Sequence, residues 1–234
     1  MIPSSSIAER IREIKERIGS AANRSGRKPG DVLLLAVSKT VDAPQVREAY
    51  DAGLRDFGEN RVQEALGKIP ILPTDIRWHL IGSLQSNKIN KVLGKFALIH
   101  SVDSYELAQG ISDRMGKETQ EVLLEVNTSG ETTKAGMAEE ETLENVKRIA
   151  QLRGIRLRGL MTVGPLTDDQ KRQRESFRKL KGLFEAVKAQ KTGGDSFSVL
   201  SMGMTSDFEM AVEEGSTLVR IGTAIFGPRV PQKD

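Results

Sequence analysis

The 234-residue chain carries 35 Lys and Arg against 32 Asp and Glu, no cysteine and two histidines, with 38% hydrophobic and 4% aromatic residues. That length suits one domain around a large shared core, and the absence of cysteine excludes disulfides and thiolate metal sites; with only His79 and His100 as imidazoles, no protein-built metal site is expected. A net charge of +3 with few aromatic rings argues against nucleic acid, and no apolar run approaches a membrane span.

Residues 1–6 lack the basic start and apolar core of a secretory signal, and Glu9, Glu13 and Glu16 speak against an organelle transit peptide, so a cytoplasmic location is expected. Ser6 followed by Glu9 is a capping-box signal, and Ile7, Ile11, Ile14 and Ile18 recur at helical spacing behind it. This predicts an amphipathic helix ahead of the first strand, covering the bottom or an outer seam of whatever follows. The segment 23–31, with Gly26, Pro29 and Gly30, breaks it.

The run 32–37 of Val, Leu and Ala reads as a strand buried on both faces, and it ends in Ser38-Lys39-Thr40. From there strands are predicted at 32–38, 55–58, 76–81, 96–101, 120–127, 155–162, 196–201 and 216–221. Helical patterns lie between them at 44–52, 61–68, 87–93, 105–115, 139–152, 168–190 and 207–214, with a short terminal helix near Ala224. Eight strands alternating with helices predict an α/β fold, a single (β/α)8 TIM-type barrel domain over 1–234 with an extra N-terminal helix. A doubly wound open sheet is the alternative, because alternation alone does not tell whether the sheet closes. Lys171, Arg172, Arg174, Arg178, Lys179 and Lys181 share one predicted helix and read as a solvated face rather than an anion patch.

In a parallel barrel the C-terminal strand ends form the binding face. Lys39 ends the first strand, and a desolvated lysine there is a Schiff-base candidate; the bland reading is a solvated charge. Gly58, Glu59 and Asn60, then Gly82 and Ser83, and Ser101 with Asp103 stand at other ends. Ser201, Gly203 and Thr205 precede one helix and Gly222-Thr223 another, which is how barrels hold phosphate after strands seven and eight. Arg220, between Val219 and Ile221, should face inward, toward a ligand or toward a carboxylate such as Glu59 in a structural ion pair. A lysine, an arginine and a phosphate cradle on one face suggest a phosphorylated aldehyde, and pyridoxal 5′-phosphate is the common one.

The runs LLAVSKT (34–40), FGENRVQEA (57–65), WHLIGSLQSNK (78–88), HSVDS (100–104), EVNTSGETTKAG (125–136), GLM (159–161), LSMGMTSDFEMAVEEGST (200–217) and VRIGTAIFG (219–227) resemble those of the pyridoxal phosphate homeostasis proteins, the YggS/PROSC family. The resemblance implies the barrel of the alanine racemase N-terminal domain and pyridoxal phosphate held as an internal aldimine on Lys39. It also implies Ser201, Gly203, Gly222 and Thr223 at the phosphate, Arg220 at the pyridine nitrogen and Asn60 beside the ring. Thr205 stands where serine is more usual, with its hydroxyl kept.

The resembling racemases take a second base, a tyrosine, from a separate C-terminal domain. Here the chain ends seven residues after Gly227, and Tyr50 and Tyr105 fall on predicted outer helices, so racemase activity is not expected. Guanidinium has donors and no acceptor, so Arg220 would leave the ring nitrogen unprotonated and the ring a weaker electron sink. The expectation is a monomeric, non-enzymatic carrier that stores, buffers or delivers the cofactor, with apo forms of pyridoxal enzymes as possible recipients. A racemase-like enzyme acting on a small amino acid is the alternative, and a lysine-dependent aldolase on a phosphorylated sugar is a third reading.

Overall fold

The computed structural model describes residues 5–131 and 134–228. Among them eight parallel strands run β1 (Leu33–Val37), β2 (Asp56–Glu59), β3 (Arg77–Leu80), β4 (Leu98–Val102), β5 (Gln120–Glu125), β6 (Ile155–Met161), β7 (Val199–Ser201) and β8 (Leu218–Ile221). Each pairs with the next, and β8 pairs back onto β1 with Leu35 opposite Arg220, so the sheet is a closed barrel rather than an open one. The connecting helices are α2 (Ala43–Asp51), α3 (Val62–Lys68), α4 (Ile89–Val92), α5 (Tyr105–Met115), α6 (Glu139–Ile149), α7 (Gln170–Gln190) and α8 (Phe208–Glu213), with α9 (Thr223–Phe226) after β8.

The strands divide their side chains by parity, as a pleated strand must. Leu34, Ala36, Phe57, Trp78 and Val219 point outward into one continuous core beneath the helices, whereas Leu98, Leu123 and Met161 form a separate small cluster with Val199 inside. The rest of the interior combines Leu35, Val37 and Leu218 with buried polar side chains such as His79, His100 and Arg220, which the apolar strand runs did not suggest. Several strands stop earlier than their sequence pattern. Asn127, expected in the fifth strand, instead turns the chain, its Oδ1 accepting from the Ser129 amide and its Nδ2 donating to the Glu131 carbonyl.

The N-terminal helix α1 (Ile7–Arg24) carries the expected capping box and buries Ile7, Ile11, Ile14 and Ile18. It covers an outer seam, packed on α2, α8 and α9. The position is open because α9 has only four residues and cannot shield the β8–β1 junction. Arg17 and Arg24 pair with Glu209 and Glu213 of α8, and Arg10 Nε donates to the Ile225 carbonyl at 2.6 Å. Four buried isoleucines at roughly 1.5–3 kcal/mol each make this seam a large share of the stability. The basic face of α7 is ion-paired: Arg174 and Arg178 meet Glu213 and Glu214, and Lys179 meets Glu139.

Candidate functional site

Parity and register assemble the C-terminal mouth. Val37 lies opposite Gly58, and Lys39 and Asn60 each follow two residues on, just past the ends of neighbouring strands; both are half-buried. On the other side Ala36 lies opposite Ile221, which brings Gly222 and Thr223 beside the end of β1. Gly222 is buried and its carbonyl accepts from the amides of Ile225 and Phe226, while Thr223 is exposed on the first turn of α9. Gly203 follows β7 at φ +94°; a Cβ there would come within 2.5 Å of the Ala211 Cβ, so the loop lies against α8 only because the side chain is missing. The Gly203 carbonyl accepts the Arg220 amide at 3.0 Å.

The turn that carries Lys39 is clamped from beneath. The Val41 amide closes it on the Ser38 carbonyl, and Thr40 sits at φ +61°, a left-handed conformation that a β-branched residue adopts at a cost of about 1–3 kcal/mol. Lys68 of α3 holds the turn: its Nζ donates to the Ser38 carbonyl at 2.8 Å, to Glu59 Oε1 at 2.8 Å and to Glu64 Oε1 at 2.7 Å. Glu64 also accepts the Thr40 amide, and Glu59 accepts the Ser38 hydroxyl at 2.6 Å. Burial pushes the Glu59 carboxyl up even so, against the bonds from Lys68 and Ser38, and its Oε2 has no hydrogen-bond partner. Glu59 therefore belongs to this clamp and is not the carboxylate that pairs with Arg220.

Arg220 faces inward and is 5% exposed. Its Nη1 donates to Ser201 Oγ at 2.6 Å and its Nη2 to the Thr162 carbonyl at 2.7 Å. Burial brings the guanidinium down to about 10 against the attraction of Glu125 and Asp207, so it is still a cation at neutral pH. Glu125, the last residue of β5, is pushed up to about 7 by burial, with Arg220 drawing it down and Asp103 opposing. The sequence pattern, which extends that strand to Asn127, does not single it out; an inward parity count from Leu123 does.

Beneath Arg220 runs a file of polar side chains that the sequence reading also missed. Ser201 Oγ lies 3.3 Å from His100 Nδ1, His100 Nε2 lies 3.0 Å from His79 Nδ1, and His79 Nε2 lies 3.1 Å from Asp56 Oδ1. Asp56 in turn accepts from Arg77, whose side chain is 58% exposed at the opposite mouth. Burial raises the Asp56 carboxyl, but the bonds from His79 and Arg77 outweigh it and hold the group at about 2. Burial, then the neighbouring His79 and Arg220, hold His100 well below the usual imidazole range. The Ser201 hydroxyl, expected to meet a phosphate, is thus engaged inside the barrel. Thr205 is half-buried on the loop that follows β7.

Fold and site together define a lysine-and-arginine barrel of the class described as alanine racemase, N-terminal domain, a family that matches residues 5–230. Alanine racemase from Corynebacterium glutamicum shares the fold at a TM-score of 0.71 and 15% identity, covering 97% of this chain and 63% of that one. Within that class the chain belongs to the pyridoxal phosphate homeostasis protein family. The relative of that name from Aquifex aeolicus is 44% identical over 94% of this chain and 97% of its own, and that from Pseudomonas aeruginosa 44% over 96% of each. PipY from Synechococcus elongatus, solved with PLP bound, superposes at a TM-score of 0.80 with 38% identity, over 95% of this chain and all of its own. Among the described residues no helix is long and apolar enough to cross a membrane.

Proposed function

We propose that this chain binds pyridoxal phosphate at the C-terminal mouth of the barrel and serves homeostasis of that cofactor, storing, buffering or delivering it without substantial turnover. The observation that carries the reading is the meeting, at one mouth, of a half-buried lysine after β1, a buried arginine at the end of β8 and the Gly222-Thr223 turn. The donor set fits the group: an amine for an aldehyde, a guanidinium for an aromatic nitrogen acceptor, and amides with hydroxyls for a dianion. When bound, the cofactor supplies an aldehyde that condenses with an amine.

In this reading Lys39 is the covalent anchor and its clamp through Lys68, Glu59 and Glu64 fixes the anchor's direction. Gly222 and Thr223, with Gly203 and Thr205 on the adjoining loop, hold the phosphate. Arg220 faces the pyridine nitrogen and denies it a proton, and Asn60 lies beside the ring. Ser201 acts through Arg220, since its hydroxyl is already bonded to that guanidinium and to His100. Tyr50 donates to Asp75 and Tyr105 to Gln109, both out on helices, so neither supplies a base at the mouth. The monomeric carrier remains our reading of the partners, with apo-enzymes as recipients.

The test is the absorption spectrum of the purified protein before and after borohydride. A visible band that borohydride removes, with the label mapped to Lys39 and absent in Lys39→Ala, supports the proposal; protein that takes up no added pyridoxal phosphate, or labelling of another lysine, overturns it. Incubation with alanine in deuterated water separates carrier from enzyme, because fast Cα exchange dependent on Lys39 would establish turnover. Apo-enzymes recovering no faster than with equal free cofactor would restrict the role to storage or buffering.

A further inference from the structure

The file of side chains between the two mouths has a direction, and simple donor counting fixes it. Arginine has only donors, so Ser201 Oγ accepts from Arg220 Nη1. At the far end the Asp56 carboxylate has only acceptors, so His79 Nε2 must carry a proton and donate to it. With one proton on each ring, His79 Nδ1 is then an acceptor, His100 Nε2 donates to it, and His100 Nδ1 is left to accept the Ser201 hydroxyl proton. Every nitrogen and oxygen in the file is satisfied and every bond points from Arg220 toward Asp56.

The reverse order needs a second proton on His79. His100 Nδ1 would then donate to Ser201, whose oxygen would accept twice and whose own proton would have no acceptor in the file. It would also place another cation in a core that already holds Arg220. The one-way order avoids both, and the Arg77 ion pair keeps the far carboxylate charged.

We propose that Asp56, His79 and His100 are positioning residues: anchored on the Asp56 carboxylate, they turn the Ser201 hydroxyl proton into the barrel so that its oxygen is presented as an acceptor to Arg220. Ser201 thereby pins one arm of the guanidinium while the Thr162 carbonyl pins the other, and the remaining donors are aimed by that two-point hold. The bearing on the ring nitrogen rests on the pyridoxal phosphate reading above. The chain makes a carboxylate at the N-terminal mouth govern the geometry of a cation at the C-terminal mouth.

The direction is tested on the cofactor-free protein, labelled with 15N-histidine, by long-range proton–nitrogen correlation. Both rings are expected as Nε2–H tautomers; a proton on Nδ1 of either ring in the wild type overturns the proposal without recourse to any variant. The coupling is tested on the loaded protein by a double-mutant cycle on pyridoxal phosphate dissociation. Asp56→Asn is expected to weaken retention by about tenfold, the scale of one hydrogen bond's net contribution. In a Ser201→Ala background the same substitution is expected to add nothing, because the chain is already cut. Equal losses in the two backgrounds would reduce Asp56 to a structural part and sink the proposal. Protein that binds no pyridoxal phosphate would refute the proposed function instead, while the tautomers still judge the chain.

Discussion

Glu125→Gln tests the electrostatics of the mouth. The carboxyl closes β5 inside the barrel, is 6% exposed, and feels the opposing charges of Arg220 and Asp103. Raising it from 4.5 to about 7 disfavours its ionisation by about 3 kcal/mol, at about 1.36 kcal/mol per decade. An acid whose folded value lies above its unfolded one contributes most stability below the unfolded value and loses it as pH climbs through the folded one. Here that window runs from 4.5 to about 7. Integrated, the ionised group lowers the stability of the cofactor-free protein by about 3 kcal/mol at pH 8 and about 1 kcal/mol at pH 5, whereas glutamine carries neither loss. Burying the amide costs roughly 1–3 kcal/mol, equally at both pH values, so it cancels from the comparison. Urea unfolding of both proteins at pH 5 and pH 8 should therefore show the glutamine variant gaining about 2 kcal/mol relative to wild type across the interval. A stability difference that does not change with pH would mean that Glu125 titrates as an ordinary carboxyl and that the mouth is not desolvated.

Three further substitutions separate the parts of the site. Lys68→Met leaves the Glu59 carboxylate, fully buried, without its ion partner, and should destabilise the protein by about 3–5 kcal/mol in urea unfolding; a loss under 1 kcal/mol would show the clamp to be idle. Gly203→Ala should drive a methyl into Ala211 and lower the midpoint of thermal unfolding, with a loss of about 1–3 kcal/mol. Thr223→Val, exposed on α9, should leave unfolding unchanged yet speed cofactor loss on dialysis by about 10–100-fold, the scale of a charge-assisted hydrogen bond; unaltered retention would place the phosphate elsewhere.

The alternation of strands and helices was legible because strand runs such as 33–37 and one face of each helix are apolar, and Lys39 and Arg220 stood out as charges set against that pattern. The direction of Arg220 followed from parity, and the place of Lys39 from its position just past a strand end. What parity was not applied to was the interior below them. Asp56, His79 and His100 are isolated polar letters in short strands, each unremarkable until its neighbours across the barrel are known, and the partners are 23 and 21 residues apart for the first two links and 101 for the third. The Glu59 clamp was hidden for a related reason: Glu59 points outward to α3, one residue out of phase with Gly58 and Asn60, so proximity in sequence to the mouth did not mean a place in it.

The seam under α1 also sets the order in which this barrel can be made. Its isoleucine stripe begins at Ile7, yet the α8 and α9 surfaces that cover it lie some two hundred residues later, at Phe208 and Ile225. At about 5–20 residues per second, a ribosome would leave that stripe waiting roughly 10–40 s for its partners. Helix α1 can form early, but its burial and the β8–β1 closure must come together and late. The first helix synthesised is thus among the last to complete its packing, and an arrest in elongation before Phe208 would leave a chain in which α1 has α2 beside it but lacks the α8 and α9 cover of its apolar stripe.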